Sequence, residues 1–273
     1  MFQLMSQLPA DAFRSWGWRV PFLVSALLLL IAFLIRRGVN ESPELEAWRR
    51  RQAAAGNAEQ AAPLKMIFAC FKGRLALSIA LSMIGVSGFY FITTLMLTYT
   101  TAYLHVAKAD MLKIINYFGF IELVAFPVGS YFAHRIGERR FILGVSALTL
   151  LWAAPMMMLV LTRDVGNIAI GMLVAAVFTS AYYSVLAPCL PKIFPVDVRY
   201  TGISLSYQLC GAIFGGTTPL AGVWIAQTFG PHWAPLALMF AAIAGCTFVA
   251  ALLLPGEEQT GDVGGDLEFE SPM

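Results

Sequence analysis

One acidic side chain, Glu122, stands in the middle of an apolar run that extends from residue 111 to residue 133. An ionised carboxylate at membrane depth is costly, so this group should be protonated, paired with a polar neighbour or hydrated. A carboxyl group in that position can take up and release a proton, and Glu122 is therefore a candidate for proton coupling. The alternative is a neutral carboxyl that bonds a neighbouring helix and has only a structural role.

Two other apolar runs carry polar and small residues at helical spacing. The first set is Ser87, Tyr90, Thr94, Thr98 and Thr101, and the second is Ser204, Gln208, Gly211, Gly215 and Thr218. Each set should lie on one face of a helix and could form the wall of a hydrated pathway. Close helix packing through small residues explains the second set equally well. The candidate substrate-pathway residues are Tyr90, Thr94, Thr98, Asn116, Ser204 and Gln208.

The composition indicates the elements that must position these side chains. The chain of 273 residues is 59% hydrophobic and 12% charged, whereas soluble domains carry about 25% charged residues. A helix needs about 20 apolar residues to cross a bilayer. Seven runs approach or exceed that length: 20–35, 75–100, 111–133, 141–161, 166–190, 200–227 and 233–254. The sequence therefore predicts an all-α membrane protein with seven transmembrane helices in the lipid bilayer.

The distribution of polar residues predicts four regions. These are an external loop and first helix (1–35), a cytoplasmic loop (36–74), a six-helix bundle (75–254) and an acidic, disordered cytoplasmic tail (255–273). Ser42, Pro43 and Glu44 have the pattern of a helix start. Lysine and arginine are concentrated in loops 36–74, 134–140 and 191–199, which the positive-inside rule places in the cytoplasm. The N-terminus is then outside and the C-terminus inside.

Several classes of protein are disfavoured. A net charge of +2 gives no indication of nucleic-acid binding. The four cysteines are scattered, and the three histidines fall at loop ends, so no metal site, cofactor site or catalytic triad is expected. A retinal protein needs a lysine in its last span, and residues 233–254 contain none. A seven-helix receptor-like protein remains an alternative.

The short charged stretch HRIGERR, residues 134–140, joins two apolar runs. Gly137 permits a tight reversal of the chain. The basic residues can bind helix C-terminal carbonyls and acidic side chains of neighbouring helices, and such contacts could hold the cytoplasmic side of the helix bundle shut. A plain positive-inside turn is the alternative.

This turn resembles the signature loop of the major facilitator superfamily, G-x-x-x-D-R-x-G-R-R, in its second-half copy. "SWGWRVPFLVSALLLLIAFLIRRGVNESPEL" (15–45) and "LPKIFPVDVRYTGISLSYQLCGAIFGGTTPL" (190–220) resemble the sixth helix and the tenth-to-eleventh connection of its metabolite:proton symporter subfamily. Two positions depart from the pattern. His134 replaces the signature aspartate, and Pro191-Lys192 stands where Ser-Glu is common.

The resemblance implies transport of a small metabolite, of the organic acid or osmolyte type, by proton symport in a bacterial inner membrane. Protons and a small molecule would be its partners. It implies a cytoplasmic gating loop that comprises His134, Arg135, Gly137, Glu138, Arg139, Arg140 and Arg199.

The resemblance also bears on the length of the chain, because twelve helices in two halves need roughly 420 residues. The chain is thus expected to correspond to the sixth to twelfth helices, the last helix of the N-terminal half and the six-helix C-terminal half. It could then require a separately encoded N-terminal half, or be a truncated fragment that does not transport.

Overall fold

The computed structural model describes residues 9–38, 46, 50 and 63–254, and every regular element among them is helical. The helices are α1 (Ala10–Ser15), α2 (Val20–Gly38), α3 (Pro63–Cys70), α4 (Lys72–Ala102), α5 (Lys108–Ile136), α6 (Glu138–Leu161), α7 (Val165–Cys189), α8 (Arg199–Phe229) and α9 (Trp233–Leu252). Among the described residues, seven helices are long and apolar enough to cross a membrane, namely α2 and α4 to α9. The predicted seven-helix, all-α membrane fold is confirmed. The proposed helix start at Ser42 and the tail 255–273 lie outside the described residues.

The chain divides into two units, residues 1–59 and 60–273. The first contains α1 and α2, which are joined by a 3-10 turn at Gly17–Arg19. In the last turn of α2 the Arg37 guanidinium lies 4.4 Å from the centroid of the Phe33 ring. Glu46 and Arg50 form an exposed ion pair at 3.7 Å with i, i+4 spacing.

The second unit is built around the pairing of its long helices. Helix α6 packs between α7 and α9, while α7 also packs against α5, and α4 packs against both α8 and α9. The buried core is mostly apolar and also contains serines and threonines, and the Phe91 and Phe240 rings approach to 4.7 Å between centroids. In this arrangement α4, α5, α7 and α8 each present part of one face to a shared space, which is described below.

Helices α4 and α8 contain π-helical turns that the sequence did not predict. These turns are Ile84–Gly88 and Phe91–Leu95 in α4, and Cys210–Gly215 in α8. The first has an identifiable cause in the Thr247 side chain of α9. The Ile84 N–H donates to the Thr247 hydroxyl at 3.3 Å, and that hydroxyl donates to the Ala80 carbonyl at 2.9 Å. Thr247 is thus inserted into the ladder bond that Ala80 and Ile84 would otherwise share.

Thr247→Val should lower the stability of the bundle by about 1–3 kcal/mol, because it leaves a buried N–H and a buried carbonyl without their partner. Thr247→Ser keeps the hydroxyl and is the matched control, with a smaller loss from the missing methyl group. Thermal unfolding of the detergent-solubilised variants measures the difference. Equal stability of the valine variant and the wild type would show that Ala80 and Ile84 can pair directly at no cost.

One end of the bundle collects most of the basic side chains of this unit. It consists of the starts of α4, α6 and α8 and the ends of α5, α7 and α9, and we call it the basic end. Helix α3 packs here through Ile67, which is buried in a small apolar cluster with Leu75, Phe194 and Val198. The Arg74 guanidinium donates to the Ile193 carbonyl at 3.2 Å and connects the start of α4 to the segment before α8.

Candidate functional site

A cavity of about 560 Å³ lies between α4, α5, α7 and α8. Polar side chains of three kinds reach it: a carboxyl, an amide and hydroxyls. The lining comprises Gly85, Val86, Phe89, Tyr90, Phe118, Glu122, Phe126, Thr179, Ser180, Tyr183, Tyr207, Gln208 and Gly211. The size is that of a pocket for a small organic molecule.

Glu122 is the only acidic residue in this lining. Helix α5 places it between Phe118 and Phe126, four residues away on either side, so the three side chains share one helix face. Glu122 is partly buried, and within the described residues it makes no hydrogen bond or ion pair. Its carboxyl group is therefore able to bind a proton, water or a ligand group in the cavity.

Aromatic rings form much of the remaining wall. The Phe126 and Tyr183 rings stack with centroids 5.8 Å apart, and the Tyr183 and Tyr207 hydroxyl oxygens are 2.6 Å apart. On the other side Phe89 meets Phe118 edge to face at 5.6 Å. The rings are held against one another from four different helices, so the wall is preorganised rather than assembled around an occupant.

Ser180 supplies a second unpartnered polar group. Its side chain is 2% exposed and lines the cavity, and its hydroxyl has no hydrogen-bond partner among the described residues. The neighbouring Thr179 differs, because its hydroxyl bonds the Ala175 carbonyl of its own helix at 3.0 Å. A buried hydroxyl without a partner is destabilising, so Ser180 is suited to bind water or a ligand.

The predicted pathway residues divide between the cavity and the outer surface of the bundle. Tyr90 and Gln208 line the cavity together with Glu122. The others are exposed and are not among the lining residues: Thr94, Thr98, Asn116 and Ser204. The prediction that the α4 set shares one face is wrong at Ser87, which is 0% exposed while Tyr90 is 40% exposed. The π turns of α4 rotate the residues between them away from regular helical spacing.

The α8 set also divides. Gln208 and Gly211 line the cavity, whereas Gly215 is buried in a helix contact. A side-chain carbon at Gly215 would lie 2.9 Å from Val86 Cγ1 and 3.1 Å from Tyr90 Cδ2. Gly215 therefore serves the close packing of α8 against α4, which was the alternative explanation of this set.

At the basic end, the predicted loop forms a tight connection between α5 and α6. Gly137 has φ 91°, in the region that glycine adopts readily. The Arg139 guanidinium donates to the Leu252 carbonyl at 2.8 Å and to the Ala251 carbonyl at 3.4 Å, at the end of α9. Lys192 and Glu138 form an ion pair at 2.7 Å. These contacts join the start of α6 to α9 and to the α7–α8 connection.

The remaining residues of the predicted loop lie beside these contacts. His134 and Arg135 are exposed in the last turn of α5, and the Arg135 guanidinium lies 5.2 Å from the centroid of the Tyr131 ring. Arg140 is exposed in the first turn of α6. The Arg199 guanidinium donates to the Phe194 carbonyl at 3.3 Å, at the start of α8. Among the described residues no group of three His, Cys, Asp or Glu side chains could hold a metal ion.

Comparison with protein families gives a match over most of the chain. Residues 12–205 match the Major Facilitator Superfamily. The chain belongs to this superfamily. The resemblance drawn from the charged turn is confirmed, and the relatives described next are named as transporters rather than as enzymes.

The curated relatives of this superfamily protein include proteins named as transporters of different small molecules. It is 29% identical over 258 residues to a citrate-proton symporter of Salmonella typhi (93% of this chain, 57% of the relative). It is 28% identical over 263 residues to a shikimate transporter of Escherichia coli strain K12 (95% and 59%). It is 28% identical over 282 residues to a putative proline/betaine transporter of Staphylococcus haemolyticus (98% and 58%). The chain spans somewhat more than half the length of these relatives, and no solved structure matches it significantly.

Part of the cavity of this superfamily protein was missed at the level of sequence. Ser180 and Tyr183 belong to the α7 run, in which no polar face was predicted, and Tyr207 lies beside the predicted α8 set without belonging to it. Their meeting with Glu122 depends on which helices pair, and a single sequence does not show that. One signal was present for the α5 wall, namely the i, i+4, i+8 spacing of Phe118, Glu122 and Phe126.

Proposed function

We propose that the protein is part of a transporter that carries a small organic metabolite across the membrane in exchange for, or together with, protons. The observation that carries this proposal is the cavity between α4, α5, α7 and α8, in which Glu122 and Ser180 have no partner among the described residues. Transporters of this general kind bind their substrates near the midplane, between helices. The names of the relatives, which include citrate, shikimate and proline/betaine transporters, support a small metabolite as the substrate.

Glu122 is proposed as the group that binds the coupling proton. A carboxyl that faces a cavity and has no fixed counter-charge can alternate between the protonated and ionised forms as its access to water changes. The resemblance implies symport, and the citrate-proton symporter is a relative with that activity in its name. Symport requires the proton and the substrate to be bound together. Exchange of substrate for protons requires instead that the proton and the substrate displace one another from the site.

Uptake measurements test the proposal. Cells that lack their own carriers for the labelled compounds are supplied with citrate, shikimate, proline and glycine betaine, with and without a protonophore. We expect accumulation of one class of compound, in intact cells if it moves together with protons or in energised inside-out vesicles if it is exchanged for protons. We expect the protonophore to abolish it. If the expressed, membrane-inserted protein accumulates none of the four compounds above the empty-vector background in either preparation, the proposed function is wrong.

A second proposal concerns a complementary segment. The alternative is that residues 1–273 act only with a separately made partner half. It is favoured by the exposure of Ser204 on α8, outside the cavity, since a polar side chain that faces lipid lacks a hydrogen-bond partner. Uptake is therefore measured with this chain alone and with co-expression of the first five helices of a relative. Activity of the chain alone would contradict this proposal, and activity only on co-expression would support it.

We further propose that the contacts at the basic end close that side of the transporter. Lys192→Glu places two carboxylates together in place of the 2.7 Å ion pair, and it should lower uptake several-fold because the closed arrangement is weakened. The double variant Lys192→Glu, Glu138→Lys restores opposite charges and should recover most of the activity. If the double variant is as impaired as the single one, charge pairing is not what these residues contribute.

The basic end is proposed to face the cytoplasm, with the N-terminus outside and the C-terminus inside, because its lysine and arginine content follows the positive-inside rule. In a variant that lacks the four native cysteines, a cysteine at Arg140 should react with a membrane-impermeant thiol reagent only in inside-out vesicles. A cysteine at Arg163, at the opposite end of α6, should react in intact cells. The reverse pattern would invert the orientation.

A further inference from the structure

The chemistry of the cavity distinguishes among the classes of metabolite that the relatives transport. Its lining contains one carboxyl group, from Glu122, and no lysine, arginine or histidine. Six of the lining residues are aromatic: Phe89, Tyr90, Phe118, Phe126, Tyr183 and Tyr207. An aromatic ring carries negative potential on its face, so it attracts a cation that lies over it. The lining therefore combines aromatic rings with one acidic group and has no basic side chain.

We propose that this cavity binds the ammonium group of a small organic cation or zwitterion, with Glu122 as its counter-charge. The inference rests on the proposed transport function and assigns the substrate class to the same cavity. Aromatic side chains that surround a methylated ammonium, together with a carboxylate, are a general means of recognising such a group. The cavity volume of about 560 Å³ leaves room for a molecule of this size and for water.

The positions of the basic residues argue against a polyanion at this site. Residues 75–107, 114–134, 141–162, 164–191 and 200–254 contain no lysine or arginine, so the basic side chains of this unit lie at or near the helix ends. Binding of a multiply charged carboxylate normally uses the forked guanidinium of arginine or the ammonium of lysine. A polyanion in this cavity would instead meet Glu122 and aromatic side chains, with no basic side chain in the lining to bind it.

An ammonium group and a proton would compete for the same carboxylate. The other titratable groups that line the cavity are the phenols of Tyr90 from α4, Tyr183 from α7 and Tyr207 from α8, and a tyrosine phenol is uncharged at neutral pH. Only Glu122 can therefore supply a counter-charge that protonation removes. Substrate binding then releases a proton, and coupling at this site is exchange rather than the symport that the resemblance implies.

Equilibrium binding to the purified chain in lipid nanodiscs tests the inference. The probes are tetramethylammonium, glycine betaine and citrate. We expect tetramethylammonium and glycine betaine to bind and citrate not to bind. Glu122→Gln and Phe126→Leu should each weaken tetramethylammonium binding by about tenfold or more, since each removes part of the cation's environment. Wild-type affinity should fall as the pH is lowered, and the Glu122→Gln variant should lose that dependence.

Two matched controls separate the cavity from general effects on the helix. Asp110→Asn removes a carboxylate from the start of α5, where it pairs with Lys113 at 2.9 Å, and Tyr117→Leu removes an exposed α5 ring outside the lining. Both should bind tetramethylammonium like the wild type. Citrate binding without tetramethylammonium binding would overturn the inference and leave the transport proposal standing. Tetramethylammonium binding that is unchanged by Glu122→Gln would also overturn it, provided that the variant is monodisperse. Transport of none of the compounds in cells would instead remove the function on which the inference rests.

Discussion

Glu122→Gln should abolish proton-driven accumulation of the substrate by the intact transporter. The amide has nearly the same shape as the carboxyl but does not titrate, so a proton gradient can no longer act on this site. Exchange of labelled for unlabelled substrate should remain measurable at concentrations high enough to offset the weaker binding, because exchange needs no net proton movement. Uptake against a concentration gradient and exchange at equal concentrations are measured on the same inside-out vesicles, whose acidified lumen drives accumulation by an exchanger.

Asp110→Asn is the control for this substitution, because it removes a carboxylate from the same helix at a position outside the cavity. Its accumulation should stay within about twofold of the wild type, since an exposed ion pair contributes little. If the Glu122→Gln variant still accumulates substrate against its gradient, Glu122 has no part in proton coupling.

Gly129→Val should strongly destabilise the bundle. Gly129 is buried on α5 where that helix meets α7, and an added side-chain carbon would lie 2.6 Å from the Ser184 hydroxyl oxygen and 3.1 Å from the Ala181 Cα and carbonyl oxygen. Backbone atoms cannot move aside as a flexible side chain does, so α5 must separate from α7. Overpacking of this kind costs about 1–3 kcal/mol and sometimes more. The cavity between these two helices should be lost as well.

Gly119→Val provides a control on the same helix, because no atom lies within 4 Å of a side-chain carbon at that position. Both variants replace glycine by a β-branched residue, so the difference between them isolates the contact with α7. Thermal unfolding in detergent should give a clearly lower midpoint for Gly129→Val than for Gly119→Val. Similar midpoints would mean that the close approach of α5 and α7 is not needed for stability.

The membrane spans were predictable because their signal is local. A run of about 20 apolar residues is apparent in the sequence, and α4 to α9 begin and end within a few residues of the predicted limits. The π turns were not predictable for the opposite reason. The turn at Ile84 depends on the Thr247 hydroxyl, which lies 163 residues later in the chain. Ser87 lies inside this turn and is buried, whereas Tyr90 follows it and is partly exposed.

For the charged turn, the sequence predicted contacts with helix C-terminal carbonyls and with oppositely charged side chains, but it did not predict which residues make them. The expectation that its arginines bind helix C-terminal carbonyls holds for Arg139, which reaches the end of α9. The ionic contact has the opposite polarity to the expected one, because Glu138 supplies the acid from the turn and Lys192 supplies the base from the neighbouring segment. A sequence shows that acids and bases are present near a turn, but the pairing depends on how close the helix ends come. The roles of these residues in gating remain predictions.

The most direct test of the account asks whether the substrate occupies the cavity. In a variant without the native cysteines, Gln208→Cys places a thiol in the lining and Thr228→Cys places one on the same helix outside it. Alkylation by a water-soluble maleimide is timed with and without the compound that the protein accumulates, which we expect to be glycine betaine. At ten times the dissociation constant the free fraction falls to about a tenth, so alkylation at position 208 should slow roughly tenfold while that at 228 stays constant. If the Gln208→Cys protein still transports but its alkylation rate does not change, the substrate binds elsewhere and the assignment of this cavity is wrong.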